Sequence, residues 1–220
     1  IIGHGVVGQA TGRLFKGHDI DIFEINSNIE NYKCKYDMIF ICVPTPLNKD
    51  TGRLNTSIVE NAIVCFRGYS KYITVRSTVP IGFCEKYNVD YFPEFLQEHS
   101  PKKPQRLVYG GMGYLPLANV HYCTRTEAEM IKLASNAYLS MRLAYFYEIK
   151  NKCEDLGLDF AEVRLGVCSD SRIGFKYSDE PYLINGKCLP KDLQEFSNFT
   201  NSNLFKEINN IKNNQLEIKD

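Results

Sequence analysis

The 220-residue sequence predicts an α/β protein, with an N-terminal parallel sheet over residues 1–120 and a mainly α-helical domain over residues 121–220. Three observations predict it. Short apolar runs alternate with helix-length segments through the first half, Gly and Pro punctuate the ends of those runs, and residues 126–156 contain neither Gly nor Pro. Apolar strands separated by helix-length spacers are the pattern of β-α-β units, whose parallel strands are covered on both faces.

The elements follow in order. Ile1-Ile2 is the end of a first strand, the rest of which is expected upstream, because a glycine turn follows at once. That turn, Gly3-His4-Gly5-Val6-Val7-Gly8, fits G-x-G-x-x-G. Glycines at these spacings allow a tight turn and bring backbone N–H groups close to a pyrophosphate at a helix N-terminus. Asp19–Ile25 alternates as a second strand and carries Glu24, about 20 residues on, where an acid accepts from ribose hydroxyls and disfavours the extra phosphate of NADP. A plain glycine turn is the alternative. Strand, turn and acid in that order favour a Rossmann-like domain with NAD as cofactor. Met38–Val43, Tyr72–Arg76, Val89–Phe92 and Leu107–Tyr109 are the further strands. Pro44, Pro46, Pro80 and Pro93 fall just beyond strand ends, where an open α/β sheet places its ligands.

From Thr124 the character changes. Thr-Glu capping signals open a helix over residues 126–156 that stops at Gly157 and spans about 45 Å. Leu133, Ala134, Ala137, Tyr138, Leu139 and Met141 make its first half largely apolar, which predicts burial between domains or between the subunits of a homodimer. A last helix is expected over Leu204–Leu216.

Composition sets the outer limits. Hydrophobic residues make up 44%, enough for a sizeable core, so disorder is excluded as the main state. Lys+Arg and Asp+Glu both total 26, so the basic excess that nucleic acid or an anionic membrane would attract is missing. No apolar run reaches the roughly 18 residues of a membrane span, and no signal-peptide pattern is present, so a cytoplasmic protein is expected. The eight cysteines are widely spaced, which predicts neither a disulfide framework nor a metal site. Ile41-Cys42-Val43 and Val64-Cys65-Phe66 place two of them as small buried apolar groups.

Cys188 differs. It lies in Asn185-Gly186-Lys187-Cys188-Leu189-Pro190-Lys191-Asp192, a turn whose lysines favour a thiolate nucleophile. The bland alternative is a loop with a stray thiol. Lys132 and Asn136, four apart, share one face of the long helix within an apolar stretch. They read either as a cation and an amide facing developing negative charge, or as a Lys snorkelling at the helix edge.

Taken in order, Gly3–Gly8, Val43-Pro44-Thr45-Pro46, Ser77-Thr78-Val79-Pro80-x-Gly82, Pro93-Glu94-Phe95-Leu96-Gln97-Glu98, Lys132-x-x-x-Asn136 and Cys188-Leu189-Pro190-Lys191-Asp192 resemble the UDP-glucose/GDP-mannose dehydrogenases. Asp170-x-Arg172-Ile173-Gly174 is similar to a loop of the same family. The resemblance implies an NAD-dependent oxidation of a nucleotide sugar, UDP-glucose by preference, from CH₂OH to carboxylate in two hydride transfers through a thioester on Cys188. It implies that Lys132 and Asn136 stabilise the oxyanion, Asp192 and Thr78 position water, and Glu94 takes part in hydrolysis. Glu98 and Thr78 would lie beside the nicotinamide, with Val43 and Thr45 along the dinucleotide. Phe95 and Leu96 would line the sugar site, and Arg172 would reach a substrate across a dimer. Gly186 is what remains of a Gly-aromatic-Gly-Gly stretch, the other positions being Leu183, Ile184 and Asn185. Side chains there alter the wall beside the sugar. The family continues into a second α/β domain that holds much of the nucleotide, so two expectations stay open, a piece of a longer chain or a minimal form with a looser nucleotide site. Two other readings stay open. One is a two-electron hydroxyacid dehydrogenase of the 6-phosphogluconate type, and the other a non-catalytic NAD-binding dimerisation module.

Overall fold

A computed structural model describes residues 1–24, 35–96, 106–178, 184 and 188–217. Five strands form the sheet: β1 (Met38–Ile41), β2 (Tyr72–Val75), β3 (Asp90–Tyr91), β4 (Leu107–Gly110) and β5 (Val120–Cys123). The first four lie where the apolar runs place them. β5 carries no such run, because it is exposed or half-buried at every position. The order is β1-β2-β3-β4-β5, with β1, β2 and β3 parallel. β4 pairs antiparallel to β3 through Tyr91 and Gly110, and β5 lies parallel to β4, so the sheet is mostly parallel.

Ile2 extends the sheet beyond β1, bridged in parallel to Ile41 on one side and to Phe23 on the other. Of the expected second strand, Phe23 is the position that makes this bridge, and Ile25 lies outside the described residues. The chain thus moves from Ile2 outward to Phe23 and returns to β1 on the opposite side of Ile2. Such a reversal opens a crevice at the carboxyl ends of the two central strands.

Strand alternation divides the core. Ile39, Ile41, Ile73 and Val75 face Val59, Ile63 and Phe66 of α2 (Ser57–Phe66), whose apolar residues recur at helical spacing. Phe40 and Cys42 face Phe15, Phe92, Tyr109 and Leu115, with Val7 and Leu14 of α1 (Val6–Leu14) packed against them. Each fully buried Val or Ile contributes about 1.5–3 kcal/mol. The helical period of α2, unlike strand alternation, turns the adjacent Val64 and Cys65 outward, so Cys65 is exposed rather than buried as its apolar neighbours imply.

The short α3 (Phe83–Tyr87) follows β2, and the long helix α4 spans Arg125–Leu156. Thr124 and Glu127 form a reciprocal capping box at its start: the Thr124 N–H donates to Glu127 Oε2 at 2.7 Å, and the Glu127 N–H to Thr124 Oγ1 at 3.2 Å. Gly157, at φ 67°, ends it, and the Leu158 N–H closes back on the Cys153 carbonyl at 2.8 Å. Then come α5 (Phe160–Cys168), capped by Asp159, α6 (Leu189–Thr200) and α7 (Asn203–Glu217). The chain divides into two compact units, Ile1–Lys132 and Leu133–Asp220. The first turns of α4 belong to the sheet unit because Ala128 and Ile131 pack into its core. In the second unit α6 and α7 pair, with Phe196 edge-on to Phe205 at 4.9 Å.

Candidate functional site

In the first unit the site begins at the glycine turn, where each glycine has its own cause. Gly3 has φ 85°, and a Cβ there would stand 2.8 Å from the Cys42 carbonyl oxygen. A Cβ on Gly8 would collide with the Gly3 carbonyl. Gly5, the N-cap of α1, has an ordinary φ of −68°, and a Cβ on it would meet nothing within 4 Å. Protein packing therefore requires Gly3 and Gly8 but not Gly5. A glycine that the protein does not need fits the position where backbone N–H groups take a pyrophosphate at a helix N-terminus. Val6 is exposed and Val7 packs inward. Glu24 follows Phe23 directly and is exposed, at the edge of the same crevice.

The loops after β1 and β2 form the crevice's other wall and are tied together. Thr45 Oγ1 donates to the Thr78 carbonyl at 2.8 Å, and Ser77 Oγ to the Val43 carbonyl at 2.5 Å. Val43, Thr45, Ser77 and Thr78 are all buried.

Beyond β3, Glu94 meets Lys132 of α4. The Lys132 side chain is 3% exposed, and its Nζ donates to the Glu94 carbonyl at 2.8 Å and to Glu94 Oε1 at 3.3 Å. Glu94 Oε2 accepts from the Leu96 N–H at 2.7 Å. Phe95 lies under the ammonium at 5.4 Å, with the Arg106 guanidinium over the same ring at 4.2 Å. Lys132 does not snorkel. It is a buried cation with a carboxylate partner.

In the second unit Asn136, one turn further along α4, donates from Nδ2 to Asp192 Oδ2 at 2.6 Å. Lys191 Nζ donates to Asp192 Oδ1 at 2.6 Å. Asp192 is fully buried in the first turn of α6. Cys188 is the N-cap of α6, exposed, and its carbonyl accepts from the Asp192 N–H at 3.1 Å. Helix N-termini favour anions, thiolates among them. Arg172 lies at an exposed loop tip, paired with Asp170 at 2.6 Å. Arg142 of α4 braces that loop, donating from Nε to the Lys176 carbonyl at 2.6 Å and from Nη2 to the Gly174 carbonyl at 2.5 Å. Glu98 and Gly186 lie outside the described residues. Among the described residues no cluster of His, Cys, Asp or Glu is arranged to hold a metal, no disulfide forms, and no helix is long and apolar enough to cross a membrane.

Arg76 is a buried cation that the sequence patterns miss. It directly follows β2, is 1% exposed, and lies with its guanidinium 4.1 Å from the Phe92 ring centroid. Its signal was available, an arginine closing an apolar strand just before Ser77-Thr78. Alternation is a weak guide at a strand end, however, and does not separate a buried cation from an exposed one.

A glycine turn at the reversal point of a mostly parallel sheet, with an acid after the next strand, defines a dinucleotide-binding α/β domain of the Rossmann class. The comparisons make this particular. Residues 14–112 match the NAD binding domain, and residues 126–214 the central domain, of the UDP-glucose/GDP-mannose dehydrogenase family. The chain belongs to that family. It is 31% identical to a UDP-glucose 6-dehydrogenase of Campylobacter jejuni, over 91% of this chain and 58% of that protein. It is 33% identical to one of Bacillus subtilis, over 71% and 41%. A UDP-glucose dehydrogenase structure from Pyrobaculum islandicum superposes with a TM-score of 0.70 at 27% identity, covering 80% of this chain and 50% of that one. The chain thus spans about half the length of the relatives it matches.

Proposed function

We propose that this chain is the NAD-binding and central part of a nucleotide-sugar dehydrogenase that oxidises the CH₂OH of a UDP-hexose, UDP-glucose first, to a carboxylate through Cys188. The observation that carries the reading is the Asn136–Asp192 hydrogen bond, with Cys188 one turn ahead of Asp192. A two-electron hydroxyacid dehydrogenase would use the helix Lys and Asn but would leave Cys188 and Asp192 without a task.

The roles follow from the chemistry. Bound NAD supplies the hydride acceptor for each of the two oxidations. Phe95 and Leu96 line the sugar site, and Arg172 contacts the substrate across a homodimer. Val43 and Thr45 lie along the dinucleotide, and Thr78 beside its nicotinamide. After the first oxidation the Cys188 thiolate attacks the aldehyde carbon, and the alkoxide that forms is stabilised by the Lys132 ammonium and the Asn136 amide. The second oxidation leaves a thioester. Water, held by Thr78 and Asp192, adds to that carbon and gives its proton to Glu94, and the Cys188 sulfur leaves with the C–S electron pair.

The test is stoichiometric: UDP-glucose and NAD are added, and NADH is counted per sugar consumed, with GDP-mannose and UDP-N-acetyl sugars in parallel. Two NADH per sugar, abolished by Cys188→Ala, is the expected result. One NADH, unaffected by that change, would replace this reading with the hydroxyacid dehydrogenase. No turnover despite NAD binding would leave a binding module.

A further inference from the structure

Glu129 is a buried carboxylate without a part in the reaction, yet it joins the loop after β2 to the helix that carries Lys132. Its side chain is fully buried on α4. Oε2 accepts from the Gly82 N–H at 2.6 Å and Oε1 from the Cys84 N–H at 2.7 Å, where the loop ends and α3 begins. The same loop carries Ser77 and Thr78, which are tied to Val43 and Thr45. Between these two attachments Val79 packs into the core, and the Phe83 N–H closes on the Pro80 carbonyl at 3.1 Å. On the helix side, Lys132 follows three residues after Glu129 and so shares its face. Two of the three ammonium N–H groups go to the Glu94 carbonyl and carboxylate, which leaves one. A path of hydrogen bonds and short chain segments therefore runs from Thr45 through Thr78, Gly82 and Glu129 to Lys132, all of it within the first unit.

We propose that Glu129 is a positioning residue: by holding both N–H groups at the end of the loop after β2, it sets the spacing between Thr78, beside the nicotinamide, and the Lys132 ammonium. This rests on the roles proposed for Thr78 and Lys132. The carbon that gives its hydride to the nicotinamide bears the oxygen that the ammonium serves, so the two sides must stand at one separation. A single bond between loop and helix would leave a pivot. Two bonds to one carboxylate fix orientation as well as distance. Such a group is a poor source of stability, because short N–H bonds at best offset the desolvation of a buried carboxylate. What it supplies is a fixed geometry.

The experiment is Glu129→Gln in the full chain, a change of nearly equal shape that leaves one carbonyl oxygen for two N–H donors. Calorimetric titrations compare NAD with ADP-ribose, which lacks the nicotinamide. We expect NAD affinity to fall roughly 2- to 12-fold, the cost of ordering a loosened loop, with ADP-ribose affinity unchanged. With UDP-glucose, kcat should fall on the order of 10-fold while KM for the sugar stays near wild type. Glu129→Asp keeps both oxygens but draws them back by one carbon, so it should lose NAD affinity in the same selective way. Wild-type affinity for both ligands in both variants overturns the proposal, because the loop then holds itself. Equal losses for NAD and ADP-ribose overturn it too, as does failure of both variants to fold, which would make the carboxylate a support of the core alone. If wild type oxidises no nucleotide sugar, the proposed function falls, while the two ligands still decide whether Glu129 acts at the nicotinamide.

Discussion

Replacing Gly5 and Gly8 by alanine separates what the turn does for the protein from what it does for the dinucleotide. The new Cβ of Gly8→Ala would run into the Gly3 carbonyl, and Gly3 is pinned by its N–H bond to the Phe23 carbonyl at 2.7 Å. Neither group is a flexible side chain that can swing aside, so overpacking of about 1–3 kcal/mol is expected. For a domain of this size that is a fall in melting temperature of roughly 2–12 °C. Gly5→Ala meets no protein atom and needs no unusual φ. Its cost is the weaker N-cap preference of alanine, under about 1 kcal/mol. The same methyl occupies the space a pyrophosphate needs, and a clash of about 1–3 kcal/mol weakens NAD binding by roughly 5- to 150-fold. Thermal melts and calorimetric NAD titrations on both variants give the answer. If Gly5→Ala binds NAD as tightly as wild type, the pyrophosphate does not sit on this helix, and the cofactor argument from the glycine turn is wrong.

Three further perturbations test the remaining geometry. Asn136→Ala strips the amide from the buried Asp192 Oδ2 and should cost about 1–3 kcal/mol in chemical denaturation; an unchanged midpoint would mean the bond is not formed in solution. Burial raises the Glu129 pKa, against the N–H bonds it accepts from Cys84 and Gly82. The folded protein then holds this proton more readily than the unfolded chain. Its stabilising share is therefore full below the ordinary value of 4.5 and is lost as pH climbs from there through the raised folded value. The stability of wild type minus that of Glu129→Gln should fall over that interval, and a difference independent of pH would contradict the assignment. Arg142→Ala removes both donors that hold the carbonyls of Gly174 and Lys176, so trypsin should cut after Arg172 or Lys176 sooner than in wild type. Equal cleavage rates would show that the loop holds itself.

Those features that depend on local chemistry were legible in the sequence. The glycine turn, the strands at Met38, Tyr72 and Leu107, and the end of α4 at Gly157 each follow from residue type and spacing alone. Lys132 and Asn136 could be placed on one helix face, but their partners Glu94 and Asp192 lie 38 and 56 residues away, and no periodicity encodes such a pairing. β5 escaped because its side chains are not sorted by burial, and Cys65 was misplaced because a helix turns alternate sides of an apolar run outward. Arg76 escaped for a related reason. Whether a charge at a strand end is buried depends on what folds over it, here the ring of Phe92.

The sheet changes character at one level across three neighbouring strands. Up to Cys42–Val43, Val75 and Phe92 the inward positions are chiefly apolar; beyond them come Thr45, then Arg76, Ser77 and Thr78, then Glu94. Most of these polar groups are buried, and several are fastened to one another or to α4 through Thr45–Thr78, Ser77–Val43 and Glu94–Lys132. A core shaped for stability alone would continue the apolar pattern to the strand ends, since buried polar and charged groups at best offset their desolvation. Their value lies in being fixed beforehand: donors and charges held by packing and by second partners need little reorganisation when a ligand arrives. Two features of the first unit stand at this edge, a glycine that protein packing does not require and a buried guanidinium with two donors unmet among the described residues. A dinucleotide bound at the carboxyl edge of the sheet accounts for the glycine. Gly5→Ala should therefore degrade NAD binding far more than it disturbs the fold.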